Sequence, residues 1–452
     1  DGPARAGAGH VEHGRRLTVS APPDDRLELR PLLREVFLAL DRAGVRWCLL
    51  RGAEGPDAQD GDVDLLVARD DAARLTGAIA PLGFARLPAR GYGSHRFHLG
   101  YDAATDRWLK LDVVTELAFG PWFSLPTQAA AHCLSRRRRR GSVMVLDDRD
   151  AFWSLLLHRL LDKGSVGAAA GPLARLARAP GCAESPLAHE IESIAPGSGT
   201  PPLLLDAARR AAWSELEAAG PALAAAWRRR YRVASLRRRA MGRLARSAGS
   251  FLRSRRGMTV ALIGPDGAGK SSLAAALARS FPLAVRTVYM SPAMTPRRGP
   301  WPRGARLALR IGAQLSRWCR AQALRLRGRL VLFDRYAYDA LMPARWPLGP
   351  RGRLRRWLLG HACPAPRLIV VLDAPGELLH ARTGERDPEV LEAERRAYLR
   401  LARGRARAIV VDATREPDRV RHDVTGAIWA AYQSRWACER FSLSRRRRRR
   451  AV

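Results

Sequence analysis

Two hydrophobic rhythms run along this chain. From residue 258 onward, short continuous apolar runs alternate with amphipathic stretches. MTVALIG (258–264), RLVLFD (329–334), RLIVVLD (367–373) and AIVVD (408–412) read as buried strands, and 270–280, 305–328 and 388–403 read as helices. All-apolar strands separated by helices predict a parallel sheet covered on both faces, a three-layer α/β unit over 257–435. Upstream, the pattern is mixed. PLLREVFLALDRAG (31–44) predicts a helix closed by Gly44, and RWCLLRG (46–52) and DVDLLVA (62–68) predict strands. HRFHLGY (95–101) and RWLKLDVVT (107–115) alternate as strands do, and AFWSLLLHRLLDKG (151–164) predicts a helix ending at Gly164. Together these make an α+β unit over 26–165.

The intervening residues 166–256 are rich in Ala, Arg and Leu, with Pro and Gly punctuation, and predict a helical connector with a basic face. Residues 1–25 and 436–452 predict a disordered arm and a basic disordered tail.

Composition changes this picture in two ways. A hydrophobic content of 47% supports packed cores and argues against wholesale disorder. The formal net charge of +36 invites a polyanionic partner, nucleic acid among them. Yet only Lys110, Lys163 and Lys270 are lysines among 79 basic residues, and with abundant Ala, Gly and Pro this reads first as the coding bias of a GC-rich genome. A lysine kept against that background marks a place where a compact ammonium does what a planar guanidinium does not. The arginine runs at 136–140 and 445–450 read as a solvated loop and tail. Glycine and proline dilute the amphipathic pattern of the connector, which argues against a membrane-surface helix there. Six scattered cysteines without a C-x-x-C pair exclude a disulfide framework or zinc site and fit a reducing cytoplasm. No apolar run is long enough to span a bilayer, and no signal-peptide pattern is present.

The strongest chemistry lies at GPDGAGKSS, 264–272. It matches G-x-x-x-x-G-K-[ST] and sits between an apolar strand and a helix, the context in which that motif cradles phosphates. Gly264, Gly267 and Gly269 let backbone N–H groups turn toward an anion, and the helix N-terminus adds a favourable dipole. Lys270 is then expected at the β- and γ-phosphates of ATP, Ser271 on Mg²⁺, and Asp266 and Ser272 in the same loop. In RGRLVLFDRYAYD (327–339), Asp334 and Arg335 end a strand. That is where open α/β sheets bind ligands, so Asp334 is expected in the Mg²⁺ shell and Arg335 on an acceptor phosphate.

Over 257–435 the sequence resembles the thymidylate kinase family, through GPDGAGKSS, FDRYAYD, LDAPGELLHAR (372–382) and the ARTGERDPEVLEAERRAYLRL that follows. The resemblance implies that Asp266 contacts the acceptor sugar and Arg335 holds its phosphate. It also implies that a lid brings Arg382 and Arg386 onto the transferring phosphoryl. The family's REPGGT-type segment is replaced here by VRTVYMSPAMTPRRGPWPRG (285–304), so the resemblance points to ATP more firmly than to thymidylate.

A second constellation lies in LLRGAEGPDAQDGDVDLLV. Asp62 and Asp64, two apart on a strand, face one side, and Asp112 in WLKLDVV supplies a third acid, with Lys110 on the same face. Three such acids are expected to hold Mg²⁺ for attack at a nucleotide α-phosphate. Residues 31–165 resemble the polymerase-β-like nucleotidyltransferase superfamily through Gly52 and the D-x-D at Asp62, with Ala53 where that family has Gly or Ser. His158 and Lys163 read as structural.

The leading expectation is a cytoplasmic ATP- and Mg²⁺-dependent phosphotransferase with an appended nucleotidyltransferase-like unit. Its acceptor would be a nucleoside monophosphate or another small phosphorylated or hydroxylated molecule, and a homodimer is open. One alternative is a nucleotidyltransferase acting on a sugar, glycan, RNA or protein, with the P-loop unit as nucleotide sensor. Another is a basic nucleic-acid-binding ATP switch.

Overall fold

The computed structural model describes residues 29–51, 62–87, 92–194, 199–252, 257–291, 303–343 and 348–448. The expected N-terminal arm, the Gly52–Ala53 pair and most of the 285–304 segment lie outside them.

The N-terminal unit opens with α1 (Pro31–Arg42), β1 (Trp47–Leu49), β2 (Val63–Val67), α2 (Ala72–Ile79), β3 (Phe84–Arg86), β4 (Arg96–Asp102) and β5 (Arg107–Val114). A small ribbon, β6 (Ala118–Phe119) and β7 (Leu125–Pro126), leads to α3 (Ala130–Ser135), β8 (Arg138–Arg140) and β9 (Val143–Val145). The main sheet has seven strands in the order β3-β4-β5-β2-β1-β9-β8. Side-chain alternation divides it. Trp47, Leu49, Leu65, Leu111 and Val113 pack with α1 and α2, whereas Cys48, Leu66 and Val114 face the helices that follow.

Those helices are α4 (Asp148–Leu157), α5 (Ala170–Leu176), α6 (Pro186–Ile194), α7 (Pro201–Arg209), α8 (Trp213–Arg230) and α9 (Arg232–Leu252). The expected helix over 151–164 becomes α4 followed by a π-turn at His158–Lys163, closed by Gly164 at φ 75°. The connector is helical as expected, but it does not begin a separate element at 166. Leu173, Leu187, Ile191, Leu204, Leu216, Leu223 and Trp227 share one core with Phe152 and Trp153 of α4, and the Trp227 indole donates to the Pro126 carbonyl at 2.8 Å. The arginines at 136–140 are likewise not a solvated loop. Residues 138–140 form edge strand β8, Arg136 lies 3.7 Å from buried Asp150, and Arg138 pairs with Asp148 at 2.8 Å.

The C-terminal unit comprises β10 (Met258–Ile263), α10 (Lys270–Ser280), β11 (Val285–Tyr289), α11 (Arg303–Leu326), β12 (Leu330–Asp334), α12 (Pro350–Gly360), β13 (Leu368–Asp373), α13 (Gly376–Thr383), α14 (Pro388–Arg403), β14 (Ala408–Asp412) and α15 (Pro417–Arg448). Its sheet is five-stranded, all parallel, in the order β11-β12-β10-β13-β14. Met258, Val260 and Leu262 face one core, and Ala261 and Ile263 face the other, so both faces are covered as the apolar runs predict. The last helix runs past residue 435 to Arg448, where a tail was expected. No helix among the described residues is long and apolar enough to cross a membrane.

The two units share a core. Ala85, Leu99 and Tyr101 cluster with residues of β10, α10 and α15. The Trp108 ring packs edge-on against Phe281 and Trp429, each at 5.0 Å. Trp429 donates to the Gly83 carbonyl at 2.9 Å, and Arg421 pairs with Asp106.

Candidate functional site

The loop between β10 and α10 is shaped by its glycines. Gly264, Gly267 and Gly269 have φ of 150°, 86° and 83°, a region L side chains adopt at a cost. A Cβ at Gly264 would stand 2.7 Å from the Leu372 carbonyl oxygen, and one at Gly267 would stand 2.8 Å from that of Leu379. The loop is therefore held close against β13 and α13.

Lys270 opens that helix. Its buried Nζ donates to the carbonyls of Gly264 at 2.9 Å and Pro265 at 2.6 Å and lies 3.8 Å from Asp266. Burial lowers its pKa, the nearby Arg335 charge adds to that, and Asp266 opposes both. The Ser271 hydroxyl donates to Asp334 Oδ2 at 2.7 Å. The Leu262–Asp334 register between β10 and β12 brings these two residues together. Asp334 Oδ1 is buried without a hydrogen-bond partner among the described residues. A hydroxyl beside a buried carboxylate with a spare oxygen is hard-oxygen chemistry that fits Mg²⁺. Ser272 is exposed on α10.

Arg335 follows β12 at φ 69°, with its N–H held by the Leu262 carbonyl at 3.1 Å. A non-glycine residue in that region is strained, and here the strain aims the guanidinium across the loop. It pairs with Asp266 on one side and lies 3.7 Å from Asp339 on the other. Arg386, between α13 and α14, reaches Asp266 at 3.2 Å and Glu394 at 2.6 Å. Burial alone would raise the Asp266 pKa, but Arg335, Lys270 and Arg386 together hold it below the ordinary carboxylate value.

Arg382 points elsewhere. It donates to the Ala413 carbonyl at 3.1 Å, so the two expected lid arginines do not converge.

Sequence reasoning missed the far wall. Asp339 accepts from the Tyr398 hydroxyl at 3.0 Å, and its Oδ2 is buried with no hydrogen-bond partner among the described residues. Burial pushes its pKa up to about 6, against the pull of Arg335 and the Tyr398 hydrogen bond. Glu394, raised mainly by burial, lines the same region. The available signal was spacing: Asp339 lies four residues after Arg335, and Glu394 and Tyr398 lie four apart on α14, hence on one helix face. Arg395 grips Asp373 with two nitrogens at 2.6 and 3.1 Å, which locks α14 to the end of β13.

The N-terminal acids lie on or next to neighbouring strands. Asp64 and Asp112 are register partners on adjacent parallel strands. Each acid has its own base: Asp62 pairs with Lys110, Asp64 with Arg51 at 2.8 Å, and Asp112 with His95 at 2.8 Å. Among the described residues, no group of three or more His, Cys, Asp or Glu side chains is disposed to hold a metal ion. Two of these acid contacts are ion pairs, and the third is a carboxylate–imidazole hydrogen bond. His158 bonds Asp162 at 2.6 Å, whose other oxygen accepts from the Gly120 N–H at 2.5 Å, a structural brace on the π-turn.

The C-terminal unit therefore has a parallel α/β fold with a phosphate-loop geometry at the carboxyl ends of its strands. No protein-family model matches the chain, and no curated protein does. Solved structures do. Thymidylate kinase from Candida albicans is similar at 18% identity and a TM-score of 0.33, over 39% of this chain and 93% of its own. Deoxyadenosine kinase from M. mycoides, solved with the products dCMP and dCDP, is similar at 14% identity and a TM-score of 0.29, over 38% of this chain and 98% of its own.

Proposed function

We propose that the C-terminal unit is an ATP-dependent phosphotransferase of nucleotide-kinase type, moving the γ-phosphoryl group to a small acceptor. The observation that carries this reading is one juxtaposition. Lys270 and the Ser271–Asp334 pair lie at the helix start, and Arg335, Asp266 and Asp339 face them across the strand ends.

In this reading the loop N–H groups and Lys270 take the β- and γ-phosphates, the Nζ exchanging its loop carbonyls for phosphate oxygens. Ser271 and Asp334 hold Mg²⁺, which when bound neutralises charge on the phosphates. Arg386 reaches the transferring group from the lid side, and Arg335 orients the acceptor. Positioning and charge neutralisation are what phosphoryl transfer requires of a protein. Asp266, Asp339 and Glu394 offset the cations on the acceptor side, which favours a substrate that offers hydroxyls as well as, or instead of, a phosphate. For a hydroxyl nucleophile, the Asp339 carboxylate is our candidate to receive the proton.

The test is ATP turnover by wild type and Lys270→Ala over a panel of nucleoside monophosphates, nucleosides and sugars. Turnover stimulated by one acceptor and lost in the variant is the expected result. Equal turnover by both proteins sinks the assignment.

A further inference from the structure

Helix α9 is amphipathic the wrong way round. Ser235, Arg238 and Gly242, spaced by three and four residues, form the side that packs on the protein. Ser235 donates to the Ser124 carbonyl at 2.7 Å. Arg238 reaches the Phe123 carbonyl at 3.3 Å and Glu116 at 2.5 Å. Gly242 lies so close to Trp122 that a Cβ there would stand 2.8 Å from the ring.

The opposite side carries Val233, Leu236, Ala240 and Leu244, again at intervals of three and four, with Met241 beside them. All are exposed: Val233 by 79%, Leu236 by 58%, Met241 by 57% and Leu244 by 67%. Gly242, which falls within the ridge-bearing stretch, is on the packed side, and α9 contains no proline. What faces water is a continuous apolar ridge.

Charge indicates what would cover it. Exposed Arg232, Arg237 and Arg243 flank the ridge. From Ala218 to Pro265 the sequence holds twelve arginines and no Asp or Glu. Two copies of this face set against each other would bring arginine rows together, at a repulsive cost. A nucleic acid would use the arginines and leave the leucines in water. An apolar crest rimmed by cations is complementary to an anionic lipid surface, where the ridge enters the acyl boundary and the guanidinium groups meet headgroup phosphates.

We infer that α9 is a peripheral membrane-docking helix that binds anionic bilayers through Val233, Leu236 and Leu244, with Arg232, Arg237 and Arg243 on the headgroups.

Flotation of the full chain with phosphatidylcholine vesicles, with and without 30% phosphatidylglycerol, tests it. The protein is expected to float with the anionic vesicles only. Arg232→Ala/Arg237→Ala/Arg243→Ala should weaken binding on the order of a hundredfold, at roughly one surface cation's worth each. Leu236→Glu/Leu244→Glu should abolish flotation while circular dichroism and the thermal melt stay unchanged, since neither side chain is buried. Three results would overturn the inference. They are no flotation, flotation that survives the double Glu substitution, and a wild-type dimer in light scattering that the same substitution dissolves.

Discussion

At the scale of residues, the surroundings of a few side chains fix their chemistry. Gly267 cannot take a side chain: its φ is 86° and a Cβ would meet the Leu379 backbone. Gly267→Ala is expected to cost about 1–3 kcal/mol of stability and to weaken ATP binding, as read by denaturant melts and by calorimetric titration. Asp339 gives a pH signature. Its folded pKa, pushed up to about 6 by burial, lies above that of an unfolded aspartate, so the folded state binds the extra proton between about pH 4 and 6. Stability should therefore fall as pH rises through that window, and Asp339→Asn should flatten the fall. A slope unchanged by the substitution would remove Asp339 as its source. Such groups were only partly legible beforehand. The phosphate loop is local in sequence, so Gly264 to Ser271 could be read from spacing alone. Asp339, Glu394 and Tyr398 meet only because α14 packs along β13 and β14, and the four-residue spacings within each segment do not reveal that long-range meeting.

At the scale of elements, the lid is the clearest case. Arg386 spans Asp266 and Glu394 between α13 and α14, while Arg382 is turned to the Ala413 carbonyl. Arg386→Ala is expected to lower kcat by about a hundredfold or more with little change in ATP affinity. Arg382→Ala should cost far less, and equal losses in the two variants would contradict the geometry. The strands of the C-terminal unit were easy to recognise because a sheet buried on both faces needs continuous apolar runs, and MTVALI and LIVVLD are such runs. The helices over 166–231 were harder to place. Their core positions are Leu and Ala spaced by three or four, and the arginines between them dominate the composition. The helical tendency was visible, but the shared core with α4 was not.

At the scale of the whole molecule, the two units are joined by more than a covalent link. The β4–β5 hairpin presents Trp108 to Phe281, at the end of the phosphate-loop helix, and to Trp429 on α15, while Tyr101 packs on Trp108 and edge-on against His422 of α15. Trp108→Ala removes the centre of that interface and is expected to cost about 3–5 kcal/mol. A single melting transition should then separate into two, and one unchanged transition would show that the units do not stabilise each other. The net charge of +36 also takes on structure at this scale. Many arginines are spent on internal pairs such as Arg395–Asp373, Arg51–Asp64 and Arg421–Asp106, whereas α9 displays its own beside an apolar ridge. Chemistry at the γ-phosphate in the C-terminal unit is the reaction we propose for this chain. ATP labelled separately at its α- and γ-phosphates, incubated with the acceptor panel, tests it directly. Label is expected to reach an acceptor from the γ-position only, to fall at least a hundredfold in Lys270→Ala, and to persist in Asp62→Asn/Asp64→Asn. Transfer of the α-label that survives Lys270→Ala and is lost with Asp62 and Asp64 would contradict it.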